Sequence, residues 1–543
     1  MSRRRQGWKP LDSLNFTADL PLDVPESAPP LSPTDPTVAT ELIKATALLQ
    51  ALARNPDLLS GLTADQRAQL VTAAGDVFCP DLDQRRQQAK LKARFRKRDR
   101  DRSEQSVLAA SAIRTLRSQA VYITPNVFAP QEPPADDADA NNDTGDHYRP
   151  VDAKQHCYVC KQKYSKIHGF YDQLCPSCAE FNFAKRSELA DLQGRVALLT
   201  GGRVKIGYQA GIKLLRSGAH LIVTTRFARD CAQRYAQEPD FANWGHKLEI
   251  FGLDLRHTPS VEAFCQHLLS TRKRLDFIVN NACQTVRRPP EFYAHMMHAE
   301  TTSLRNLSPD VQQLVGAYEG LRGYHMLPSS KTSRALPMPL AGLSTPAELS
   351  QVHLLPEDSM PSRHLFPDGQ LDQDLQQVDL RERNSWRLTL AEVSSVELLE
   401  TQLVNAIAPF VLNARLKSLM LRTPERDKHI VNVSAVEGQF YRRLKTTRHP
   451  HTNMAKAALN MMTRTSAADY HADGIHMNSV DTGWINDEDP AYLAARKVAE
   501  HDFHPPLDIV DGAARIVDPI VDGINSGRHQ WGKFLKDYRE VDW

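Results

Sequence analysis

Residues 195–225 read RVALLTGGRVKIGYQAGIKLLRSGAHLIVTT. The apolar run that ends at Thr200 predicts a buried strand, the glycines from Gly201 to Gly207 predict a turn, and the residues after them follow an amphipathic helix. A second apolar run completes a strand–turn–helix–strand unit of about thirty residues. In such a unit, backbone N–H groups at the helix N-terminus can hold a pyrophosphate. The stretch therefore predicts a dinucleotide-binding α/β domain, a doubly wound parallel Rossmann sheet.

Further motifs follow this unit along the chain. They are Asp254-Leu255, Asn280-Asn281-Ala282-Cys283, Val404-Asn405 with the residues up to Phe410, the strand pattern 430–438, Lys456 with the apolar residues after it, and Thr482-Gly483-Trp484-Ile485. Together with the turn Thr200-Gly201-x-x-x-Lys205-x-Gly207, these motifs resemble the short-chain dehydrogenase/reductase family. The resemblance runs from about residue 192 nearly to the C-terminus.

The resemblance implies roles for individual residues. The positions that would contact a dinucleotide are Thr200, Gly201, Arg203, Lys205, Ile206, Gly207, Asp254, Leu255, Asn281, Ala282, Lys456 and Gly483. Asp254 and Leu255 stand where the family contacts the adenine, and Gly483 stands beside the nicotinamide. Asn405 and Lys456 match the active-site Asn and Lys of the family.

The residue that follows the second strand bears on the choice of dinucleotide. NAD sites normally carry Asp or Glu there to accept the ribose 2′-hydroxyl, whereas this chain has Arg226. A guanidinium matches a phosphate in charge and in fork geometry. The sequence therefore favours NADP over NAD, with Arg203 or Lys205 as helpers. The alternative is that Arg226 is an ordinary exposed residue at a strand end.

The proton-transfer positions depart from the family pattern. Where the family has a tyrosine four residues before Lys456, this chain has Thr452, and an aliphatic hydroxyl is a much weaker acid than a phenol. Ala435 stands at the family's catalytic serine, and Ser434, one residue earlier, would face the other side of the strand unless a bulge turned it. The middle glycine of the turn is replaced by Lys205, whose side chain must reach a phosphate or crowd the cofactor.

A second motif precedes the dinucleotide unit. Two C-x-x-C pairs are formed by Cys157, Cys160, Cys175 and Cys178. Four thiolates complete a tetrahedral zinc site and leave no open position, so this spacing predicts a structural site rather than a catalytic one. Gly169 is expected to turn a hairpin between the pairs, and a helix is expected from Ala179. His156 and His168 are interpreted as bystanders.

Three side chains between Ser434 and Lys456 could supply a substitute acid: Tyr441, His449 and His451. His451 has the most suitable position, and histidine titrates near neutrality. The alternative is that all three are ordinary loop residues. Two functions therefore stay open. One is an NADP-dependent oxidoreductase with a rearranged acid, acting on an unidentified carbonyl or alcohol. The other is a cofactor-binding pseudoenzyme with a regulatory or scaffolding role that uses the zinc site.

Composition and periodicity suggest how the whole chain is organised. The segments are 1–39, disordered; 40–124, helical with a basic stretch; 125–150, a linker; 151–190, the zinc module; 191–283, the first half of the Rossmann domain; 284–385, an insertion; and 386–543, the second half. Within the helical segment, Thr63 and Gln66 predict a capping box. The insertion leaves from the ligand-facing edge of the sheet, which suggests a lid or a partner-binding cap, with 328–375 expected to be floppy.

Charge and hydropathy give weaker indications about partners. The net charge of +2 creates no global attraction to nucleic acid or membranes. The basic stretch Arg85–Arg102 could bind nucleic acid, but a solvated helix face is favoured. A protein partner could bind the zinc module or the insertion, and a homo-oligomer is open. The chain has no apolar run of about 18 residues and no apolar segment behind its basic N-terminus, which predicts no membrane span and a cytoplasmic, or else nuclear, location.

Overall fold

The computed structural model describes most of the chain in two compact units, Met1–Asp99 and Arg100–Trp543. The described residues are 36–78, 82–119, 121, 124, 148–326, 345–360, 362–442, 445–501 and 503–543. Cys79, nearly all of the predicted disordered segment, most of the predicted linker and residues 327–344 lie outside them.

The first unit is helical. It contains α1 (Pro36–Arg54), a 3₁₀ turn (Pro56–Gly61), α2 (Ala64–Phe78) and the first part of α3 (Leu82–Ala109). The predicted capping box is present, because the Thr63 N–H donates to Gln66 Oε1 over 3.1 Å and the Gln66 N–H donates to Thr63 Oγ1 over 3.3 Å. The helical N-terminal region is therefore confirmed, with the basic stretch on α3.

The second unit begins within α3 and continues into the cysteine-rich region. Its first elements are α4 (Ala112–Ser118), β1 (Tyr148–His156), β2 (Lys163–His168) and α5 (Pro176–Ser187). Strands β1 and β2 pair antiparallel, with His156 opposite Lys163, so the hairpin turns at the first cysteine pair. The prediction of a turn at Gly169 is wrong, because the partner of β2 precedes the cysteines. The Gly169 carbonyl instead accepts a hydrogen bond from the Ala112 N–H over 2.9 Å.

An eight-stranded sheet forms the core of this unit. Its strands are β3 (Val196–Thr200), β4 (His220–Thr225), β5 (Leu248–Gly252), β6 (Phe277–Asn280), β7 (Lys428–Ser434), β8 (Ile475–Asp481), β9 (Phe534–Lys536) and β10 (Arg539–Val541). The order is β10-β9-β8-β7-β6-β3-β4-β5, and all neighbours are parallel except β10 and β9. The direction of winding reverses between β3 and β6, and a crevice opens at their carboxyl ends. The doubly wound prediction is confirmed.

Helices cover this sheet, as a buried parallel sheet requires. The described helices that follow β3 are α6 (Lys205–Arg216), α7 (Ala228–Ala236), α8 (Phe241–Trp244), α9 (Thr258–Thr271), α10 (Pro290–Thr301), α11 (Pro309–Met326), α12 (Pro346–Leu349), α13 (Ser395–Gln402), α14 (Ala408–Met420), α15 (Pro450–Ala472), α16 (Ala491–His501) and α17 (Ile509–Ser526). Helix α6 packs with α17, and α9 packs with α14. Short 3₁₀ turns lie at Gly245–Lys247, Leu304–Asn306, Pro356–Ser359, Arg363–Leu365, Ser385–Arg387, Leu390–Glu392 and Val436–Gly438.

The first part of the insertion extends the core. Helix α11 packs against β5, and Val311, Leu314 and Val315 join the main apolar cluster. The Tyr318 ring fills the space beside Gly252, where an added Cβ would lie 2.3 Å from Tyr318 Cζ. This part is therefore a packed element of the sheet.

The second part of the insertion is also packed. Ala347 and Phe366 join an apolar cluster with side chains of α10. Arg287 donates two hydrogen bonds to the buried Asp358 carboxylate, over 2.8 and 2.6 Å. The expectation of a floppy segment is therefore wrong for residues 345–360 and 362–375, because these buried contacts hold them. Residues 328–344 of that expectation lie outside the described chain.

The helical stretch Ser395–Met420 has a high mean hydropathy. Within the described residues, Ser395–Met420 is long and apolar enough to cross a membrane by length and composition, with a mean hydropathy of 1.2. Its inner side is buried against α9, as in a core helix. This stretch is weak evidence for a membrane span.

Candidate functional site

A cavity of about 1280 Å³ opens at the carboxyl ends of β3 and β6. Nearly all of the residues expected to contact a dinucleotide line it, namely Gly201, Arg203, Lys205, Ile206, Gly207, Arg226, Asp254, Leu255, Asn281, Ala282, Lys456 and Gly483. Thr200 is the exception, and it lies behind this surface. The cavity therefore occupies the place where doubly wound folds bind their ligands.

Steric limits shape the glycine turn. Gly201 has φ +71°, and an added Cβ would lie 2.9 Å from Ala282 Cα. At Gly207 a Cβ would lie 2.1 Å from the Gly201 carbonyl oxygen and 2.4 Å from Asn281 Nδ2. Lys205, where the family has glycine, adopts the left-handed region at φ +55°. A non-glycine residue there stores about 1–2 kcal/mol of strain.

Side chains fasten this turn to the end of β6. Asn281 Nδ2 donates to the carbonyl oxygens of Thr200 and Gly201, each over 3.1 Å. The Ala282 N–H donates to Thr200 Oγ1 over 3.0 Å. These bonds hold the floor of the crevice, so Asn281 and Thr200 shape the site through the backbone.

Arg226 lies at the end of β4, as the sequence predicts. Its guanidinium donates to the Tyr293 hydroxyl over 2.7 Å and lies 4.5 Å from the centre of the Tyr293 ring. No carboxylate lies within ion-pair distance of Arg226 among the residues that the structure describes. Tyr293 comes from α10 of the insertion and also lines the cavity, so the insertion supports this guanidinium.

Arg203 and Lys205, the two side chains expected to assist Arg226, differ in their ion pairs. Arg203 is buried and donates to Asp230 over 2.7 Å. Burial alone would raise the pKa of Asp230, but Arg203 and Arg234 outweigh it and hold that pKa below its usual value. Arg203 is therefore already held in an ion pair, with a carboxylate that it shares with Arg234, whereas Lys205 has no ion pair among the described residues.

Asp254 is also engaged within the protein. It accepts two hydrogen bonds from the Arg256 guanidinium, over 2.7 and 3.1 Å, and the same guanidinium donates to Glu400 over 2.8 Å. Although burial opposes ionisation, these bonds lower the pKa of Asp254. Asp254 and Leu255 line the cavity at the predicted position, with the carboxylate fixed by Arg256.

The predicted active-site asparagine lies in a π-helical turn, Leu403–Ile407, between α13 and α14. Asn405 is 1% exposed; its Oδ1 accepts from the Gln284 N–H over 2.7 Å, and its Nδ2 donates to the Gln284 carbonyl over 3.0 Å. Such turns are frequent at functional sites. This one ties Asn405 to the segment that follows Ala282.

The other catalytic candidates are held differently. Lys456 lines the cavity, and its Nζ donates to the Val433 carbonyl over 2.8 Å. Ser434 borders the cavity, but its hydroxyl donates to Asn460 Oδ1 over 2.6 Å within the packing of β7 on α15. Thr452 is 2% exposed and is absent from the cavity lining. Of these three side chains, Lys456 therefore lines the cavity with an ammonium group, whereas the Ser434 hydroxyl is bonded to Asn460 and Thr452 is buried away from the cavity.

Only His449 of the three substitute acids lines the cavity. It precedes α15 at φ +42° and stacks on Trp386, with ring centres 3.8 Å apart and planes 4° apart. Tyr441 is 95% exposed, and His451, favoured from the sequence, is buried 3.5 Å from Glu397 Oε1. The placement of His451 is therefore corrected in favour of His449, because α15 starts at Pro450 and turns His451 away.

Burial dominates the electrostatics of His449. It lowers the pKa of the imidazole below the ordinary 6.5, although Glu437 and Asn453 oppose this shift. The imidazole is therefore mainly neutral at pH 7 and can accept a proton.

Several cavity residues come from outside the motifs predicted to bind the dinucleotide. Tyr158 and Lys161 belong to the zinc module, while Tyr293 and Trp386 belong to the insertion or lie next to it. No local pattern marked these residues, because the contacts join distant parts of the chain. The Trp484 N–H donates to the Tyr158 hydroxyl over 3.0 Å, for example.

The four predicted zinc ligands come together. The sulfur atoms of Cys157, Cys160, Cys175 and Cys178 lie within 4.8 Å of one another. Cys160 and Cys175 Sγ are 3.6 Å apart, close to the ~3.8 Å that a tetrahedron of bonds of about 2.3 Å requires. The donor set and its geometry fit a closed structural zinc site.

Comparisons with known proteins identify the family that this part of the chain resembles. The family model described as short chain dehydrogenase matches residues 195–309, and the one described as enoyl-(acyl carrier protein) reductase matches residues 384–504. The two matches lie on either side of residues 310–383, within the insertion.

Curated relatives show the same likeness. An uncharacterized protein of Acanthamoeba polyphaga mimivirus is 28% identical over 376 residues, which cover 67% of this chain and 71% of the relative. Dehydrogenase/reductase SDR family member 13 of Bos taurus is 31% identical over 20% of this chain and 30% of its own length. Retinol dehydrogenase 14 of Mus musculus is 35% identical over 17% of this chain and 30% of its own length. The chain thus spans under a third of these two named enzymes.

Solved structures are more distant. A short-chain dehydrogenase/reductase of Serratia marcescens gives a TM-score of 0.39 at 15% identity, covering 64% of this chain and 97% of that one. The RhlG/NADP active-site complex of Pseudomonas aeruginosa gives 0.39 at 17% identity, covering 64% and 95%.

Proposed function

Because the chain belongs to the short-chain dehydrogenase/reductase family, we propose that it is an NADP(H)-dependent oxidoreductase acting on an alcohol or a carbonyl compound. The observation that carries the choice of dinucleotide is Arg226. Its guanidinium lines the cavity at the end of β4, stacks on Tyr293 and has no carboxylate partner in the described part of the chain. The Asp254 carboxylate, whose pKa Arg226 helps to lower, is bonded to Arg256, and a ribose 2′-phosphate would supply a negative charge in direct contact with Arg226.

The cavity supports the binding of a dinucleotide. Gly201 and Gly207 allow the tight turn that precedes α6, and backbone N–H groups at the N-terminus of this helix favour anions such as a pyrophosphate. Lys205 adds a positive charge at the same place. The residues present therefore fit the group.

Proton transfer is assigned to His449. When bound, NADP⁺ would accept a hydride from the carbon that carries the substrate hydroxyl. The hydroxyl proton must then leave, and the neutral imidazole of His449 lies in the cavity to accept it. In the reverse direction, the protonated imidazole returns the proton to the carbonyl oxygen. Trp386, stacked on the ring, fixes its orientation.

Zinc is proposed as the occupant of the four-cysteine cluster. The site is complete with four thiolates, so the metal would serve the fold rather than the reaction. Metal analysis of the purified protein tests this assignment, with one zinc per chain expected.

The dinucleotide assignment is tested by titrating the protein with NADPH and with NADH while following nicotinamide fluorescence. We expect tighter binding of NADPH. Arg226→Gln should weaken NADPH binding by roughly tenfold to 100-fold, the effect of one hydrogen bond to a charged group, and leave the affinity for NADH unchanged. NADH, which lacks the 2′-phosphate, is the matched control. Equal affinities in the unmodified protein would contradict the assignment.

A second candidate function, a cofactor-binding pseudoenzyme, is favoured by the absence of the tyrosine and serine that the family uses. Thr452 is absent from the cavity lining, and the Ser434 hydroxyl is bonded to Asn460. A cofactor-binding pseudoenzyme needs neither. A screen of alcohols with NADP⁺ and of carbonyl compounds with NADPH separates the two functions: tight binding without turnover of any compound supports the pseudoenzyme.

A further inference from the structure

The zinc module is docked on the dinucleotide domain through buried charges. Arg186 donates to both carboxylate oxygens of Asp508, over 2.7 and 2.9 Å, and lies 3.0 Å from Asp511. Arg515 of α17 donates to Asn182 over 2.6 Å. Because these groups are buried, a loss of either partner would leave a charge without compensation. The module is therefore fixed to the start of α17.

The docked face lies behind one wall of the cavity. Ile485 and Leu507, from the chain between β8 and α17, share one apolar cluster with Cys157 and Tyr171 of the module. An added Cβ on Gly483 would lie 2.6 Å from Leu507 Cδ1, so the wall is packed tightly. The segment that borders the nicotinamide position in the family is thus backed by the module.

Two residues of the module reach the cavity itself. Tyr158, between the first two cysteines, lines it and accepts the Trp484 N–H over 3.0 Å. Lys161, next to Cys160, also lines it, with its Nζ 4.7 Å from the centre of the Tyr158 ring. The positions of both residues depend on the turn that the cysteine pair closes.

A metal bound to the four cysteines would hold that turn. The module is a short hairpin and one helix around a small core, and such units fold largely through metal binding. Loss of the metal would release Tyr158 from Trp484 and loosen the wall formed by 482–486 and 503–508.

We propose that the four-cysteine module is a part of the dinucleotide cavity and that its metal, by holding the wall formed by 482–486 and 503–508, sets the affinity for NADP(H). The statement about affinity rests on the proposed function, whereas the statement about the wall does not.

The full chain tests the proposal in metal-loaded and chelator-stripped forms. Removal of zinc should raise the Kd for NADPH about tenfold or more, which corresponds to ~1.4 kcal/mol, and added zinc should restore it. Hydrogen exchange of residues 482–508 should rise in the stripped protein, with the Trp484 amide most affected. Metal content is measured for each form.

Tyr158→Phe tests the contact without removing the metal. It should raise the Kd for NADPH about threefold to tenfold, the effect of one neutral hydrogen bond, and speed exchange of the Trp484 amide. Tyr164→Phe is the matched control, because its hydroxyl donates to the Asp172 carbonyl over 2.7 Å within the module and does not line the cavity. That variant should leave both readouts unchanged.

The outcomes separate the two proposals. If loaded protein binds NADPH and stripped protein binds it equally well, the inference fails and the proposed function stands. If loaded protein binds no NADPH, the proposed function fails, and the exchange of 482–508 decides the inference. Exchange that does not change on metal removal overturns the role of the module as a wall.

Discussion

The two ends of the cavity are built by different means. At the nucleotide end, backbone approach sets the geometry: Gly207 packs on the Gly201 carbonyl, and Asn281 binds the same turn. At the end where we propose proton transfer, Thr452 and Ala435 stand where the family pattern has tyrosine and serine, and His449 lines the cavity, stacked on Trp386. Steric requirements of the backbone admit few substitutes, whereas a proton can be moved by any group of suitable pKa in reach. The first end therefore matches the family pattern except at Lys205, whereas the second end can use a different residue for proton transfer.

The largest expected effect comes from His449→Asn, measured on a substrate found in the screen. Asparagine tolerates the left-handed conformation of this position but cannot accept the proton. Turnover should fall by about 100-fold to 10,000-fold, the contribution of a general base, while the Kd for NADPH stays within about twofold. Tyr441→Phe is the control, since its exposed ring lies outside the cavity lining. Unchanged turnover of the asparagine variant would remove His449 from the reaction.

The pH dependence gives the same test without a substitution. Because burial lowers the pKa of His449 below 6.5, the neutral form predominates at pH 7 and is lost as the pH falls through that pKa. Alcohol oxidation at saturating NADP⁺ should therefore decline about tenfold per pH unit on the acid side, and carbonyl reduction should rise. A decline centred above pH 7 would point to another group.

A smaller but clear effect is expected from Gly207→Ala at the nucleotide end. The added methyl would lie 2.1 Å from the Gly201 carbonyl oxygen, so the turn must move. We expect a loss of about 1–3 kcal/mol in the free energy of unfolding and a similar loss in NADPH binding. Gly316→Ala in α11 is the matched control, because nothing lies within 4 Å of its added Cβ. Gly316→Ala should leave the free energy of unfolding unchanged or raise it slightly. If Gly207→Ala had an equally small effect, the nucleotide end would not be limited by steric requirements of the backbone.

The smallest effect is expected at Lys205. Lys205→Gly and Lys205→Ala both remove the charge, but only glycine relieves the left-handed backbone at φ +55°. The glycine variant should be more stable than the alanine variant by about 1 kcal/mol in thermal unfolding. Both should bind NADPH several-fold more weakly if the ammonium contacts a phosphate. Equal stability of the two variants would show that the turn relaxes around a side chain.

Sequence predicted the features that short stretches determine. The turn Gly201–Gly207, the four cysteines and the Thr63 capping box each depend on residues a few positions apart, so spacing alone was sufficient. Arg226 was placed correctly because the end of a strand is readable from its apolar run.

The remaining features depend on distant residues. Trp386 supports His449 across 63 positions, and Tyr158 meets Trp484 across 326. The choice of His451 failed because one left-handed residue before α15 decides which histidine faces the cavity. The packing of 345–360 and 362–375 does not follow from local sequence, because the buried Asp358 has its partner, Arg287, 71 positions away.

The contact between Tyr318 and Gly252 limits how this chain could be shortened. Strand β5 ends the sheet, and α11 packs on it with the Tyr318 ring in the space that the glycine leaves. Shortening the insertion to the usual family length would remove α11 from β5, the edge strand. It would also leave the space beside Gly252 unfilled. An uncovered strand of this kind is a template for aggregation. A deletion that keeps α11 and removes only 327–344 is therefore the one that a protein engineer should attempt.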